Sequence, residues 1–501
     1  MSHHLREIDG LRAIAVLAVV IYHFNKEYLP FGYLGVDIFF AISGYVITKS
    51  ILDRAEAGLF TYTDFFMRRA KRLLPALAAM IGVSIIVAAV LMPGKMPLAT
   101  GAAALVGASN ILLWFANQDY FAFSAEWNPL THTWSLGAEE QFYLFFPFLL
   151  LLFRASRKVM FLLLASVAII SLTSYIWMWH EHRASVFYLT PFRLWELMAG
   201  ALVCIAYRTR GCLLKPHHQS LLKYGLLLAL LIVLFSDGLP ELLATALCVL
   251  ASCGVLYLSG RGSNPNPILL NPISLFIGKI SYSIYLWHWP VAVFSKLTFP
   301  TELVLPAYIV LTTGLSISSY YGIEQPLRFR KWTWFQNRFF IAVPSYAIAA
   351  TLMIASVWLA KPLLYLGPQQ MLETQFLKSD PCHIPNENGL MDCLKENAGG
   401  GNTIWLVGDS HAGNFSVSLA SAAKTLGVGV QHLTSRSLFA SLSSQCTPFL
   451  CPEGTFSDLA ARLKTISRPG DVVAISFARD RFERDTIQVG TISFSITLRL
   501  S

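Results

Sequence analysis

Apolar residues in this chain are grouped in long blocks separated by short polar stretches. Blocks long enough to cross a bilayer fall near 10–26, 33–52, 74–93, 139–153, 159–179, 191–208, 221–236, 240–258, 280–299, 303–323 and 338–360, some of them short. The pattern predicts a polytopic α-helical membrane protein with about eleven transmembrane helices. A further segment, 101–116 (GAAALVGASNILLWFA), is rich in small residues, and charge argues against counting it. With the N-terminus in the cytoplasm and this segment not spanning, the basic loops at 68–72, 154–158, 208–215 and 328–331 all lie on the cytoplasmic side. Counting it would put Arg154, Arg157 and Lys158 outside. We therefore expect 101–116 to be re-entrant or part of an outer-face loop.

The pattern changes past Lys361, where Pro, Asn and Gly clusters separate short apolar runs such as TIWLVGDS and DVVAISF. Strands at 403–408, 428–433 and 471–477, alternating with helices at 412–426 and 456–466, predict an α/β domain with a parallel sheet. Eleven spans from a cytoplasmic start place it outside. The expected organisation is a membrane domain at 1–335, an extra transmembrane helix at 336–362 and a periplasmic domain at 363–501. The first apolar block has no small-residue cleavage site and runs into a second, so it reads as a retained span.

Composition agrees with this picture: of 501 residues, 55% are hydrophobic and 13% charged. The net charge of +9 could suggest nucleic acid, but its excess lies in short loops between apolar blocks, where it orients helices. No nucleic-acid partner, metal or bound cofactor is expected. Of eight cysteines, Cys204, Cys212, Cys248 and Cys253 lie in or beside spans and read as small apolar residues. The other four lie in the exported part, where an oxidising compartment permits the local disulfides Cys382–Cys393 and Cys446–Cys451 among three possible pairings.

Several apolar blocks carry residues that are costly in a membrane. The first contains Arg12 and His23. Eleven helical steps turn about 1100°, three turns plus roughly 20°, and rise about 16 Å, so both project from one face. An arginine at the headgroups and a histidine satisfied inside the bundle would be the plain explanation; a polar, protein-lined path is the other. A dense cationic patch, Arg68, Arg69, Lys71 and Arg72, precedes a helix start expected at Pro75. It suits either anionic headgroups or a phosphorylated cytoplasmic ligand. Glu139 and Glu140 enter the fourth block after His132 and Trp134, and Arg193 with Glu196 forms an i, i+3 pair in the sixth. Aromatic belts account for Trp287 and Trp289 in the ninth, but not for His288 beside Ser281 and Tyr285. Glu324 ends the tenth, near Arg328 and Arg330.

In order, DGLRAIAVLAVVIYHF, GYLGVDIFFAISGYVI, FFMRRAKRLLP, WSLGAEEQFY, RLWELMAG, SYSIYLWHWP and IEQPLR resemble the membrane acyltransferase-3 family over residues 5 to about 332. The resemblance implies O-acylation of envelope polysaccharides, with acetyl-CoA as acyl donor substrate. It also implies that Arg12 and His23 are essential, that Arg69 and Arg72 with the neighbouring Arg68 hold the donor, and that Glu324 belongs to the same site. His23 would act as general base or transient acyl carrier, Arg12 would steady the donor or developing negative charge, and Glu139 or Glu140 would orient the imidazole.

In the exported part, VGDSHAGNF is similar to the first block of SGNH hydrolase-like domains and makes Ser410 a candidate nucleophile. Such a site needs a base histidine from a late Asp-x-x-His block, and none follows His432. The domain is therefore expected to be truncated, its serine chemistry doubtful. The overall expectation is an O-acetyltransferase of a bacterial inner membrane, acting on a lipid-linked or envelope glycan such as lipopolysaccharide O-antigen or exopolysaccharide. A transporter of an acyl or glycan precursor, or an inactive remnant, remain the alternatives.

Overall fold

Seven helices among the described residues are long and apolar enough to cross a membrane: Gly32–Glu56, Tyr62–Leu91, Arg157–Met178, Arg183–Arg210, His217–Phe235, Glu241–Leu258 and Thr301–Arg328. The chain is thus a multi-pass, mainly helical membrane protein. The computed structural model describes residues 6–118, 126–152, 156–212, 215–260, 265–329, 339–367, 403–408, 429–434 and 472–476. They fall in two units, residues 1–365 and 366–501.

In chain order the helices are α1 (Arg6–Phe24), α2 (Gly35–Glu56), α3 (Tyr62–Leu91), α4 (Met96–Leu105), α5 (Ser109–Gln118), α6 (Thr133–Leu152), α7 (Arg157–Met178), α8 (Arg183–Tyr188), α9 (Thr190–Arg210), α10 (Pro216–Phe235), α11 (Glu241–Leu258), α12 (Pro267–Leu270), α13 (Pro272–Lys279), α14 (Ser281–Thr298), α15 (Thr301–Ser319), α16 (Gln325–Phe329) and α17 (Phe339–Leu364). Four apolar blocks outside the seven spans, at 10–26, 139–153, 280–299 and 338–360, coincide with α1, α6, α14 and α17. The first three of these carry Arg12, His23, Glu139, Glu140 and His288, which lower their apolarity.

Close backbone approach seats α1 at its Arg12 end. A Cβ on Gly10 would overlap the Leu269 carbonyl, and one on Gly278 of α13 would overlap the Asp9 carbonyl. Small residues are how membrane helices pack this tightly without a hydrophobic driving force between them. Further along, Leu11, Ala15, Val16 and Val19 are fully buried among α2, α13 and α14.

The third helix departs from expectation. It starts at Tyr62 rather than at Pro75, because Thr61 caps it, accepting from the Asp64 N–H at 3.2 Å. Pro75 lies inside, so Arg68, Arg69, Lys71 and Arg72 belong to the first turns of a 30-residue helix. Residues 101–116 fall in α4 and α5, two helices of ten residues each. Each is about 15 Å long, half a hydrocarbon core. They are separated by a turn in which Gly107 adopts a φ of +69°, a conformation that suits glycine. A buried polar seam holds them: Gln141 donates to the Gly107 carbonyl at 3.0 Å and to Asn110 Oδ1 at 2.9 Å, and Asn110 donates to the Tyr188 carbonyl at 3.1 Å.

In the second unit three parallel strands, β1 (Thr403–Gly408), β2 (Gly429–Thr434) and β3 (Val472–Ser476), form a sheet of order β2-β1-β3. Thr403 is in register with Gly429, and Ile404 with Val472. Strands were expected at these places and in this sense. Ser410, and the cysteines of the expected pairs Cys382–Cys393 and Cys446–Cys451, lie outside the described residues.

Candidate functional site

The last turn of α1 brings His23 against α14. Its Nδ1 lies 2.9 Å from His288 Nε2, with the two rings stacked at 5.2 Å and 18°. His288 is fully buried, and its Nδ1 lies 2.6 Å from the backbone carbonyl of Tyr285, one turn back in α14. The Trp289 ring meets His23 edge-on at 4.5 Å and is fixed by a bond from its Nε1 to the Asn128 carbonyl at 2.8 Å. His132, just before α6, packs its ring 5.4 Å from that of His288. The Tyr285 hydroxyl bonds both Ser135 Oγ at 2.6 Å and the His132 carbonyl at 3.0 Å. Beyond His23, Lys26 and Glu126 pair at 2.5 Å between two loops, and that hydrogen bond raises the Lys26 ammonium above its usual range.

At the other end of α1, Arg12 pairs with Asp9 at 3.2 Å. Arg69 and Arg72 of α3 are within electrostatic reach of Arg12. Arg69 lies over the Tyr143 ring at 4.9 Å, and the Tyr143 hydroxyl donates to Glu139 Oε2 at 2.5 Å. Ser43 Oγ holds the other Glu139 oxygen at 2.8 Å. Arg72 Nε stands 4.0 Å from Glu324 Oε1, and Ser283 of α14 donates to Glu324 Oε2 at 3.2 Å. Glu324 closes a π-helical turn, Tyr320–Glu324, a local widening found often at functional sites. Among the described residues, neither Arg69 nor Arg72 hydrogen-bonds an acid. With Arg328 also nearby, this end carries a surplus of guanidinium that a polyanion would neutralise.

Both α1 and α14 therefore run from a cationic end to a histidine end. Arg12 and His23 mark the two ends on α1, Ser283 and His288 on α14. Of the residues expected to act together, Arg12, Arg69, Arg72 and Glu324 are brought together. Arg68 is turned aside, bonded to Asp64, which also takes Arg54 at 2.5 Å.

Glu139, expected with Glu140 as a partner of the His23 imidazole, is placed away from it. It stands seven residues along α6 from His132, a rise of about 10 Å, and its oxygens serve Ser43 and Tyr143 at the cationic end. Glu140 points toward the turn at Gly107. Neither is among the described contacts of His23, whose ring meets those of Tyr22, His288 and Trp289.

Residues 5–321 match the family model of the acyltransferase domain (Acyl_transf_3). The chain belongs to the acyltransferase-3 family. Over 349 residues it is 34% identical to a protein of Staphylococcus aureus (strain COL) that bears the name "Putative O-acetyltransferase", covering 64% of this chain and 57% of that one. Over 348 residues it is 32% identical to the O-acetyltransferase OatA of Staphylococcus aureus (strain NCTC 8325 / PS 47), covering 65% and 57%. The chain thus spans somewhat more than half the length of these curated relatives. No solved structure matches it.

The family match contains every residue of both ends except Glu324 and Arg328, which follow it within a few positions. Sequence reasoning left His288 without a role and Ser43, Tyr143 and Tyr285 without partners. The readable signal for His288 was a histidine inside an apolar helix. Its partner, 265 positions away, becomes visible only when α1 and α14 pack.

Proposed function

We propose that this acyltransferase-3 protein is an O-acetyltransferase moving an acetyl group from cytoplasmic acetyl-CoA to a hydroxyl of an envelope polysaccharide across a bacterial inner membrane. The observation that carries the reading is the polarity of α1, with a guanidinium cluster at Arg12 and a histidine pair at His23 about 16 Å further along. Coenzyme A has the matching polarity, with phosphates at one end and the thioester at the other, joined by an extended amide arm. Arg69 and Arg72 suit the phosphates, since Arg69 pairs with no acid among the described residues and Arg72 meets Glu324 only at 4.0 Å, while Arg12 is held by Asp9. At its distance from His23, Arg12 serves the donor's charged end rather than the reacting carbonyl.

His23 takes the proton of the acceptor hydroxyl as that oxygen bonds to the acetyl carbon. The carbon–sulfur bond then breaks, and the imidazolium returns its proton to the departing thiolate. In this reading the cationic end faces the cytoplasm, α1, α6, α14 and α17 span with the other seven helices, and residues 366–501 are exported. Lipopolysaccharide O-antigen and exopolysaccharide are the acceptors proposed, and the exported unit, resembling an SGNH domain, would meet the glycan. The test compares acetyl content of envelope polysaccharide by mass spectrometry in cells carrying the wild type or His23→Ala at equal membrane abundance. Loss of acetyl increments is expected, and unchanged acetylation overturns the reading.

A further inference from the structure

The chain of bonds ending on His23 determines which of its nitrogens can act. A backbone carbonyl only accepts, so at 2.6 Å from the Tyr285 oxygen the Nδ1 of His288 carries the hydrogen. A neutral imidazole has a single N–H, which leaves His288 Nε2 as a lone pair. His288 has no exposed surface, and no acid is among its described contacts, so a neutral ring is the inexpensive form there. Across 2.9 Å, His23 Nδ1 must then donate to His288 Nε2. The hydrogen of neutral His23 is thereby used, and its Nε2 is left unprotonated.

We infer that His288 is a positioning residue that fixes the tautomer of His23, holding its Nε2 ready as the base. Free histidine in water favours the opposite tautomer, with the hydrogen on Nε2, which would present an N–H to the acceptor where a lone pair is needed. The arrangement parallels the acid that orients the histidine of a serine-protease triad, with one difference. The orienting acceptor here is neutral, so no carboxylate has to be buried beside the imidazole. When His23 takes up a proton, the Nδ1–H to Nε2 bond persists and becomes charge-assisted. Trp289, held by Asn128, limits rotation of the His23 ring, and His132 closes the far side of His288.

The catalytic meaning rests on the proposed function, whereas the tautomer is a separate observable. Nitrogen-15 spectra of the full-length, histidine-labelled protein in nanodiscs, assigned with His23→Ala, should show neutral His23 protonated at Nδ1. His288→Leu should move the hydrogen to Nε2 and lower kcat by roughly 100-fold or more, with KM for acetyl-CoA little changed. His288→Gln, whose amide oxygen can accept from Nδ1, should restore the tautomer and much of the rate. A wild-type His23 protonated at Nε2 overturns the inference, as does a folded His288→Leu enzyme with unchanged kcat. If the leucine variant does not fold, the wild-type spectrum and the glutamine variant decide. Acetylation by His23→Ala would sink the proposed function and leave the tautomer standing.

Discussion

Gly44 of α2 and Gly200 of α9 each lie against the backbone of the other's helix, so that a Cβ on the first would overlap the Leu197 carbonyl and one on the second the Ala41 carbonyl. The contact is reciprocal, and it sets the separation of the two helices. Ser43, which holds Glu139, and Arg193, which faces Asp37, both depend on that separation. Alanine at either glycine should cost about 1–3 kcal/mol through overpacking. Thermal unfolding in detergent should show a lower midpoint, with activity lost in proportion to folded protein.

Arg193 is placed between two acids, 3.1 Å from Asp37 and 3.3 Å from Glu196, and its guanidinium lies among the rings of Phe40, Trp134 and Tyr175. All three charged groups are buried. Removing the cation leaves two acids without their partner in an apolar core, so Arg193→Leu should lose about 3–5 kcal/mol. Lysine should not rescue it, since a point charge can neither fork to two carboxylates nor lie flat among the rings. Equal yields of folded wild type and lysine variant would contradict this.

The two ends of α1 predict different kinetics. Under the proposed function, Arg72→Ala removes a guanidinium that would bond a donor phosphate, worth about 1.5–3 kcal/mol. KM for acetyl-CoA should rise roughly 10- to 100-fold, with kcat less affected. Arg68→Ala should stay near wild type, because Arg68 already answers Asp64. Steady-state kinetics with purified protein separate the two, and similar losses in both would remove the distinction between facing and flanking cations.

The fold was largely legible because membrane helices announce themselves by length and apolarity, and the eleven apolar blocks coincide with helices. Where the reading erred, a local signal lost to an apparent one. Pro75 reads as a helix start, but the cap at Thr61 begins α3 earlier and carries Arg69 and Arg72 onto a rigid element. The residues of the cationic end were legible through the family resemblance of their motifs. The partners of His23 were not, because a hydrogen bond between residues 265 apart leaves no periodicity in the sequence. Glu139 or Glu140 was expected to orient the imidazole, but the packing that turns Glu139 to Ser43 and Tyr143 is set by helices distant in sequence.

Tyr285 distinguishes side chain from backbone at the histidine pair. Its hydroxyl ties Ser135 and the His132 carbonyl, while its own carbonyl holds His288. Phenylalanine at 285 removes the first set of bonds and leaves the second in place. Ser135 and His132 would lose a buried partner, a cost of about 1–3 kcal/mol, so the midpoint of thermal unfolding should fall. The His288 Nδ1 bond is made to the backbone and survives, so kcat per folded molecule should stay close to wild type. A stable Tyr285→Phe protein with kcat reduced as far as in His288→Leu would place the hydroxyl itself in the reaction. That result would move the origin of the hydrogen-bond chain from the α14 backbone to the tyrosine side chain.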